Sequence, residues 1–286
     1  MSRQVRLPFL ILAVIAAASL AGPLVAHLSG ADPSSVDLLA RFAGPSATHP
    51  LGTDELGRDM LLRLLEGGRV SLTIGIAAAL AAAAVGTAVG LAAGYLGGWT
   101  DRVLMRFADG VIALPLLPLL IVLAALDLHK IGVPHVLADS PEISLVRIVV
   151  LAVLVGWTTA ARLVRGATLV TRSRDFVRAA QSLGAGTPHI LWRHILPNVM
   201  APLVVATTLS VGDIILLESV LSFLGLGVQP PLASWGSMLS NAEELITSSP
   251  LLAIYPGAMI FLTVIACNLL GDALLRRFDP RDAARA

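Results

Sequence analysis

The chain has 286 residues, of which 56% are hydrophobic and only 14% are charged. Because a soluble globular domain carries about 25% charged residues, this chain has too little polar surface to cover a water-soluble body of its size. The hydrocarbon of a bilayer is its natural solvent. The net charge of +1 and the scattered basic residues give no indication of nucleic-acid binding, and the single cysteine excludes an internal disulfide.

Six apolar segments are long enough to cross a bilayer as helices, which requires about 20 mostly apolar residues. We place them near residues 7–28, 70–96, 111–128, 145–164, 199–221 and 251–275. A cleaved signal peptide is the alternative for the first segment, but its length of about 22 residues exceeds that of a signal-peptide core. The segments suggest an N-terminal helix with its loop, residues 1–69, and a core of five helices, residues 70–286.

The distribution of basic residues predicts the orientation in the membrane, because cytoplasmic loops carry an excess of Lys and Arg. With six spans and a cytoplasmic N-terminus, 14 of the 20 Lys and Arg residues lie on the cytoplasmic side. Both termini are therefore expected in the cytoplasm. The connection at 97–110 is then a short cytoplasmic turn, and the loops at 29–69 and 222–250 face outward.

The second span carries Gly86, Gly90 and Gly94, each four residues apart and therefore on one helix face. Small residues at this spacing allow two helix backbones to approach closely in lipid. We interpret them as a packing face with an unknown partner, the alternative being an Ala-rich helix with incidental glycines. Pro115 and Pro118 remove backbone donors from the third span and predict a bend there.

Two carboxylates, Asp213 and Glu218, lie in or near the fifth span. Such residues usually face the interior of a bundle, because charge that faces lipid is costly. Five residues place them about 140° apart around a helix, so they do not share a face. They are candidates for the lining of a translocation path or for a joint with a partner subunit. The alternative places Glu218 at the outer interface, solvated and structural.

The polar connection at 165–198 is the most informative loop, because a bare loop of this length usually has a function. Residues 175–183 predict a short helix that ends at Gly184, since glycine provides a left-handed cap. A second helix opens at Thr187 and is interrupted by Pro197. The result is a helix–turn–helix that either fits a cleft in another protein or rests on lipid headgroups.

The same loop resembles the signature loop of ABC importer permeases. The positions that match this pattern are Ala179, Ala180, Gly184, Leu196 and Pro197, whereas Arg178 and His194 depart from it. The resemblance implies that the loop is a coupling helix that docks on an ATPase subunit. The residues assigned to this coupling role are Asp175, Phe176, Arg178, Ala179, Ala180, Leu183, Gly184 and Pro197.

Further stretches resemble the dipeptide/oligopeptide/nickel branch of these permeases, in particular its second, C-type subunit. They are His49 to Asp59, Glu218 to Pro231, Ser234 to Met238, Asn268 to Asp272 and Asp279 to Arg281. The resemblance implies an all-α, polytopic membrane protein with the type I ABC importer (MetI-like) permease fold. It also implies a location in the cytoplasmic (inner) membrane of a bacterium.

The resemblance implies a set of partners as well. These are a second homologous permease, two ABC ATPase subunits and an extracytoplasmic binding protein that delivers substrate to the loops at 29–69 and 222–250. The latter loop is expected to form a short amphipathic helix at the interface, carrying Trp235, Met238, Leu239 and Leu245.

The chain lacks the motifs of an enzyme. Its only lysine, Lys130, has no phosphate-binding glycine loop around it, so ATP and Mg²⁺ are expected on partner subunits. We expect no metal site, because His129 and His135 form a chance loop pair and nickel chelation would reside in the binding protein. The alternative function is a secondary transporter driven by an ion gradient, which would need an internal repeat and paired intramembrane carboxylates. The cargo stays open among dipeptides, oligopeptides, nickel chelates and glutathione-like molecules.

Overall fold

A computed structural model describes residues 3–132, 134–138, 140–240 and 249–278 of the chain. The α-helices are α1 (Arg3–Ser29), α2 (Met60–Leu96), α3 (Gly98–Ala113), α4 (Leu116–Ala124), α5 (His135–Ala138), α6 (Pro141–Arg172), α7 (Asp175–Ser182), α8 (Thr187–Ile190), α9 (Leu196–Phe223) and α10 (Leu251–Phe278). Short 3₁₀ helices occur at Leu38–Ala40, Leu128–Ile131 and Ser237–Leu239, and a π-helix occurs at Leu191–Ile195. Within the described residues there is no strand, only an isolated bridge between Thr53 and Asp59.

The prediction of an all-α, polytopic membrane protein is confirmed. Five helices of the described part are long and apolar enough to cross a membrane: Val5–Ser29, Met60–Leu96, Pro141–Arg172, Thr187–Phe223 and Leu251–Arg277. A sixth crossing requires α3 and α4 to be taken together as one span bent by 84°.

Helix α2 begins ten residues before the expected start of the second span. Asp59 caps its first turn, because its carboxylate accepts a hydrogen bond from the Leu62 backbone N–H at 2.9 Å. His49 Nδ1 lies 2.9 Å from the same carboxylate and holds the preceding loop against the cap. The division at residues 69 and 70 therefore falls inside one continuous helix.

Two expectations for residues 97–128 were wrong. The connection at 97–110 is not a turn but most of α3, because Gly97 and Gly98, with φ of 66° and 56°, reverse the chain within two residues. The third span is not a helix over 111–128, because Leu114 before Pro115 is extended, with φ of −73° and ψ of 139°. A residue before proline is disfavoured in the α conformation. The bend predicted from Pro115 and Pro118 is therefore confirmed, at 84° between α3 and α4.

Helix α2 occupies the centre of the bundle and packs against α1, α6 and α9, while α10 packs against α1 and α9. Small and branched side chains fill the interior, such as Ile74 and Ala78 of α2 with Ala152 of α6 and Ile214 of α9. We call the end of the bundle at which α2 and α6 finish the elbow end, and the opposite one the far end.

The expectation that Trp235 lies on an amphipathic helix at the interface was also wrong. Trp235 is fully buried, and its indole Nε1–H donates to the Leu64 carbonyl at 3.0 Å. Gly67 and Gly68 of α2 make room for its ring, since a Cβ on Gly68 would lie 2.8 Å from the indole. Leu245 lies outside the described residues, as does the stretch Asp279 to Arg281.

Candidate functional site

The connection after α6 forms a compact projection, which we call the elbow and define as α7, α8 and the turn between them, Asp175 to Ile190. Val177 of α7 and Ile190 of α8 are 0% and 1% exposed. Both belong to a buried cluster with Val164 of α6 and Val199 and Leu203 of α9. The elbow is therefore fastened to the bundle by apolar packing and is not a loose loop.

The sequence located α7 correctly, since the helix begins at Asp175 and Gly184 follows its end. Gly184 has a φ of 83°. The Ala185 N–H donates to the Ala180 carbonyl at 3.0 Å, and the Gly184 N–H donates to the Gln181 carbonyl at 2.9 Å. This pair of bonds is the Schellman motif, which satisfies the free carbonyls at a helix end.

The predicted coupling residues separate into two groups. Ala180 is half-buried, whereas the others are exposed: Asp175, Phe176, Arg178, Ala179, Leu183, Gly184 and Pro197. Leu183 is 88% exposed and Phe176 45% exposed, so two large apolar side chains stand free on the elbow. Exposed apolar side chains of this kind occur at surfaces that contact another protein or a membrane. We call Phe176, Ala179 and Leu183 the tip of the elbow.

The sequence missed Val177, which anchors α7. Its signal lies in the amphipathic period of this helix, because Val177 stands about 160° around the axis from Ala179 and on the side opposite to the tip. The exposed Trp192, at 73%, was also missed, although it directly follows the elbow.

The expectation that Pro197 interrupts the second helix was wrong. Residues Thr187–Phe223 form one continuous helix of 37 residues, which we call the rod and which measures about 55 Å at 1.5 Å per residue. The π-helix at Leu191–Ile195 precedes Pro197, and the Leu196 N–H donates back to the Leu191 carbonyl. The side-chain amide of Asn198 donates to the His194 carbonyl at 2.6 Å, one residue after the proline.

The three glycines of α2 lie against α6. A Cβ on Gly86 would meet the Ala160 Cβ at 2.5 Å, one on Gly90 the Ala161 carbonyl oxygen at 2.6 Å, and one on Gly94 the Thr168 Cβ at 2.7 Å. The packing partner that the sequence left open is thus α6 of the same chain. This close approach lies in the half of α2 nearer the elbow end, where α2 packs against α6, the helix that leads into the elbow.

Glu218 lies near the far end of the rod and is fully buried. The hydroxyls of Ser222 and Ser234 donate to its Oε1, each at 2.6 Å, and the Ser71 hydroxyl donates to Oε2 at 3.2 Å. It is therefore not solvated at an interface, as the structural alternative supposed.

Each of these three hydroxyls also accepts a hydrogen bond from a backbone N–H. The donors are Trp235 for Ser71, Val228 for Ser222 and Ser237 for Ser234, at 3.0 to 3.1 Å. These bonds orient the three hydroxyls so that each donates its hydrogen to Glu218. An ionised carboxylate can only accept hydrogen bonds, so it suits this site. Asp213, by contrast, is exposed on the rod and shares no face with Glu218.

Three of the stretches that resemble the peptide branch meet at the far end: His49 to Asp59, Glu218 to Pro231 and Ser234 to Met238. Asp54 and Arg58 of the first stretch, with Ser222, Gln229 and Ser237 of the later ones, line one cavity of about 280 Å³. Asp54 accepts hydrogen bonds from the Leu56 and Arg58 backbone N–H groups and from the Arg58 Nε, at 2.7 to 2.9 Å. Residues 49–59 and 218–238 therefore form a single folded cap over the bundle.

The described residues hold no group of three or more His, Cys, Asp or Glu side chains that could bind a metal. The arrangement is a helical bundle with an anchored projection at one end, a folded cap at the other and one rod that connects them.

Comparison with known proteins identifies the family. The family described as "Binding-protein-dependent transport system inner membrane component" matches residues 86–282, well over half of the chain. Oligopeptide transport system permease protein OppC of Escherichia coli is 42% identical over 222 residues, covering 78% of this chain and 69% of that protein. OppC of Bacillus subtilis is 37% identical over 220 residues, covering 77% and 68%. Glutathione transport system permease protein GsiD of Pectobacterium atrosepticum is 42% identical over 219 residues, again covering 77% and 68%. The chain therefore belongs to the family of inner membrane components of binding-protein-dependent transport systems, the permease subunits of ABC importers.

Proposed function

We propose that this permease subunit imports peptides or chemically related small molecules, and that its elbow receives the movement of an ABC ATPase. The observation that carries the proposal is the elbow itself, an anchored helix with exposed apolar side chains at the start of a continuous rod. ATP and Mg²⁺ bind to two partner ATPases, and a second, homologous permease completes the pathway.

The elbow end faces the cytoplasm in this proposal. The support is the charge around it, because Arg165, Arg172, Arg174, Arg178 and Arg193 all lie in or beside the elbow. Positively charged loops stay on the cytoplasmic side during insertion. Both termini are then cytoplasmic as well, and the cap formed by residues 49–59 and 218–238 faces outward.

The mechanism is alternating access. ATP binding brings the two ATPases together, and the elbow moves with the ATPase on which it docks. Since Ile190 at the start of the rod is buried in the bundle, displacement of the elbow shifts the rod and the helices packed on it. The binding energy of ATP thereby changes the populations of inward-open and outward-open states.

The rod conveys this displacement to the outer face. Glu218 joins the rod to Ser71 of α2 and to Ser234 of the cap. The cap, α2 and the far end of the rod therefore move together, and a binding protein that rests on the cap is coupled to the ATPases. Asp213, exposed on the rod, is a candidate for the pathway or for the joint with the second permease.

We infer the substrate class from the relatives, whose names describe the transport of oligopeptides or glutathione. A dipeptide, an oligopeptide or a glutathione-like molecule fits this range, and a nickel chelate is a further candidate within the branch. The deciding measurement is uptake of each labelled compound by proteoliposomes that contain the chain, its second permease, both ATPases and the binding protein. If an imposed ion gradient drives uptake of these compounds into proteoliposomes that lack the ATPases, the result would instead support a secondary transporter.

Sided chemical labelling tests the orientation and the docking surface. Leu183→Cys places a thiol on the tip, and Leu39→Cys places one at a fully exposed site of the loop before α2. The native Cys267 is buried and gives a low background. In sealed right-side-out vesicles, an impermeant maleimide should label position 39 and spare position 183. Inverted vesicles should show the reverse, and added ATPase should protect position 183. Labelling of position 183 from the outside would refute the proposal.

A further inference from the structure

An open cavity of about 420 Å³ lies at the elbow end, between the last turns of α2 and α6 and one side of α7. It is lined by Tyr95, Arg172, Ser173, Arg178 and Gln181. The Ser173 hydroxyl donates to the Val170 carbonyl at 2.8 Å. The lining offers two guanidinium groups, the Tyr95 hydroxyl and the Gln181 amide, and it contains no carboxylate. Such a set of donors is complementary to an anion with several oxygens.

The two arginines are available for a ligand in different ways. Arg172 Nη1 donates to the carbonyls of Gly94 and Tyr95 at 2.8 and 3.2 Å, which fixes its guanidinium at the end of α2. These bonds use one of its three nitrogens. Arg178 is exposed and, within the described part of the chain, forms no ion pair. Gln181 donates to the Tyr95 hydroxyl at 3.4 Å and joins the two walls of the cavity.

Two acidic side chains of α3 near the cavity are paired with arginines of α6, whereas Asp175 of α7, three residues before Arg178, is exposed. Asp101 of α3 is bound by Arg165 of α6 through both of its oxygens, and Asp109 by Arg162 at 2.6 Å. The outward face of α3 is left with its basic and aromatic residues. Arg102 lies 5.2 Å from the ring centroid of Trp99, which is 71% exposed.

The position along the helices identifies the level of the cavity in the membrane. Helices α2 and α6 are both spans, and they end at Leu96 and Arg172. The apolar stretch of α2 ends beside the cavity, and we take this point as the level of the phosphate groups. Exposed Trp and Arg side chains such as Trp99 and Arg102 are typical of this layer. Basic pockets between spans on the cytoplasmic side bind anionic headgroups.

The cavity is separate from the tip of the elbow. Arg178 and Phe176 are two residues apart on α7 and hence about 160° apart around its axis. The tip thus stands clear of the side on which Arg178 and Gln181 meet the ends of the spans. A partner that covers Phe176 and Leu183 leaves this side facing the membrane surface.

We propose that this cavity binds the phosphate headgroup of an anionic phospholipid of the cytoplasmic leaflet, held by Arg172 and Arg178. Because Arg178 belongs to α7, the lipid contacts the segment that transmits ATPase movement. The inference rests on the orientation in the proposed function, which places the elbow end in the cytoplasm, and it is independent of which cargo is imported.

Native mass spectrometry of the full chain, purified in detergent and titrated with phosphatidylglycerol or phosphatidylcholine, tests the proposal. The wild type should retain phosphatidylglycerol in preference to phosphatidylcholine. Arg178→Gln should weaken this binding about fivefold, since each arginine near a charged surface contributes about that factor. Arg174→Gln is the matched control, because Arg174 is exposed on the same loop but does not line the cavity.

Several outcomes would overturn the assignment. One is equal retention of phosphatidylglycerol by wild type and Arg178→Gln, and another is an equal loss in Arg174→Gln. Competition by glycerol phosphate at the concentration at which the lipid binds would show a site for small anions instead. A loss of co-purifying ATPase in Arg178→Gln with unchanged lipid binding would assign this side of α7 to the ATPase. The single variant retains Arg172 and its bonds to α2, so the fold is preserved during the comparison.

Discussion

Gly184 offers the sharpest test of the elbow, because a second glycine in the chain matches it closely. Gly184 ends α7 and Gly225 ends α9, with φ of 83° and 76°. Both close the same Schellman motif, with the 6→1 bonds from Ala185 to Ala180 at 3.0 Å and from Leu226 to Leu221 at 2.9 Å. A Cβ on either glycine would meet no atom within 4 Å.

Gly184→Trp and Gly225→Trp should therefore cost the isolated chain the same free energy of folding. The left-handed backbone is the only source of strain, and it costs a residue with a Cβ about 1–2 kcal/mol. Both variants should insert and show similar, slightly lowered thermal midpoints. They differ only in location, since Gly184 lies beside Leu183 of the tip and Gly225 lies at the far end.

The assay is the affinity of the purified permease pair for its ATPases, measured without the binding protein. Disrupting the packing at the centre of an interface costs about 2 kcal/mol or more, which is about a thirtyfold decrease in affinity. We expect this decrease for Gly184→Trp and wild-type affinity for Gly225→Trp. Gly184→Ala carries the backbone strain without the bulk and should keep most of the affinity. Wild-type ATPase affinity in Gly184→Trp, or an equal decrease in Gly225→Trp, would refute the reasoning.

Three further predictions concern the bundle, each checked by the thermal unfolding of the purified chain in detergent. Glu218→Gln should destabilise it by about 1–3 kcal/mol, because the amide nitrogen cannot accept from the serine hydroxyls that surround it; an unchanged midpoint would mean that the buried carboxylate is not required. Gly90→Ala should destabilise the chain by about 1–3 kcal/mol, because the added Cβ meets α6. Gly166→Ala is the control and should be neutral or stabilising, because its Cβ meets nothing within 4 Å. Equal effects of the two substitutions would contradict the close packing of α2 on α6. Trp235→Ala should cost about 3–5 kcal/mol through the cavity that it leaves, and a cost below about 1 kcal/mol would show that the ring is not buried.

Several features of the fold follow from the sequence because they depend on neighbouring residues alone. An apolar segment of about 20 residues has one stable environment, so composition and hydropathy suffice to predict the helical membrane class. The Schellman turn at Gly184 involves residues within five positions of each other, and the sequence predicted it correctly. The spacing of Gly86, Gly90 and Gly94 likewise defines a face, although it cannot name the helix that packs there.

Local pattern failed where a short, polar or proline-containing stretch could continue in more than one way. The turn expected at 97–110 is helical, because two glycines complete the reversal and leave Asp101 free to pair with Arg165, 64 residues away. Pro197 was expected to end a helix, yet the rod continues through it. A π-turn directly precedes the proline, with the Leu196 N–H bonded to the Leu191 carbonyl, and this is where the helix adjusts to the missing N–H.

The sequence by itself determined that this is a helical membrane protein with a capped elbow, and its motifs determined the family. The tertiary structure alone decided the surroundings of single side chains, because those depend on distant residues. Glu218 meets Ser71 across 147 positions, and Trp235 meets Leu64 across 171. Burial of a charge is tolerable only where hydrogen-bond donors converge on it, and a linear pattern does not record that convergence.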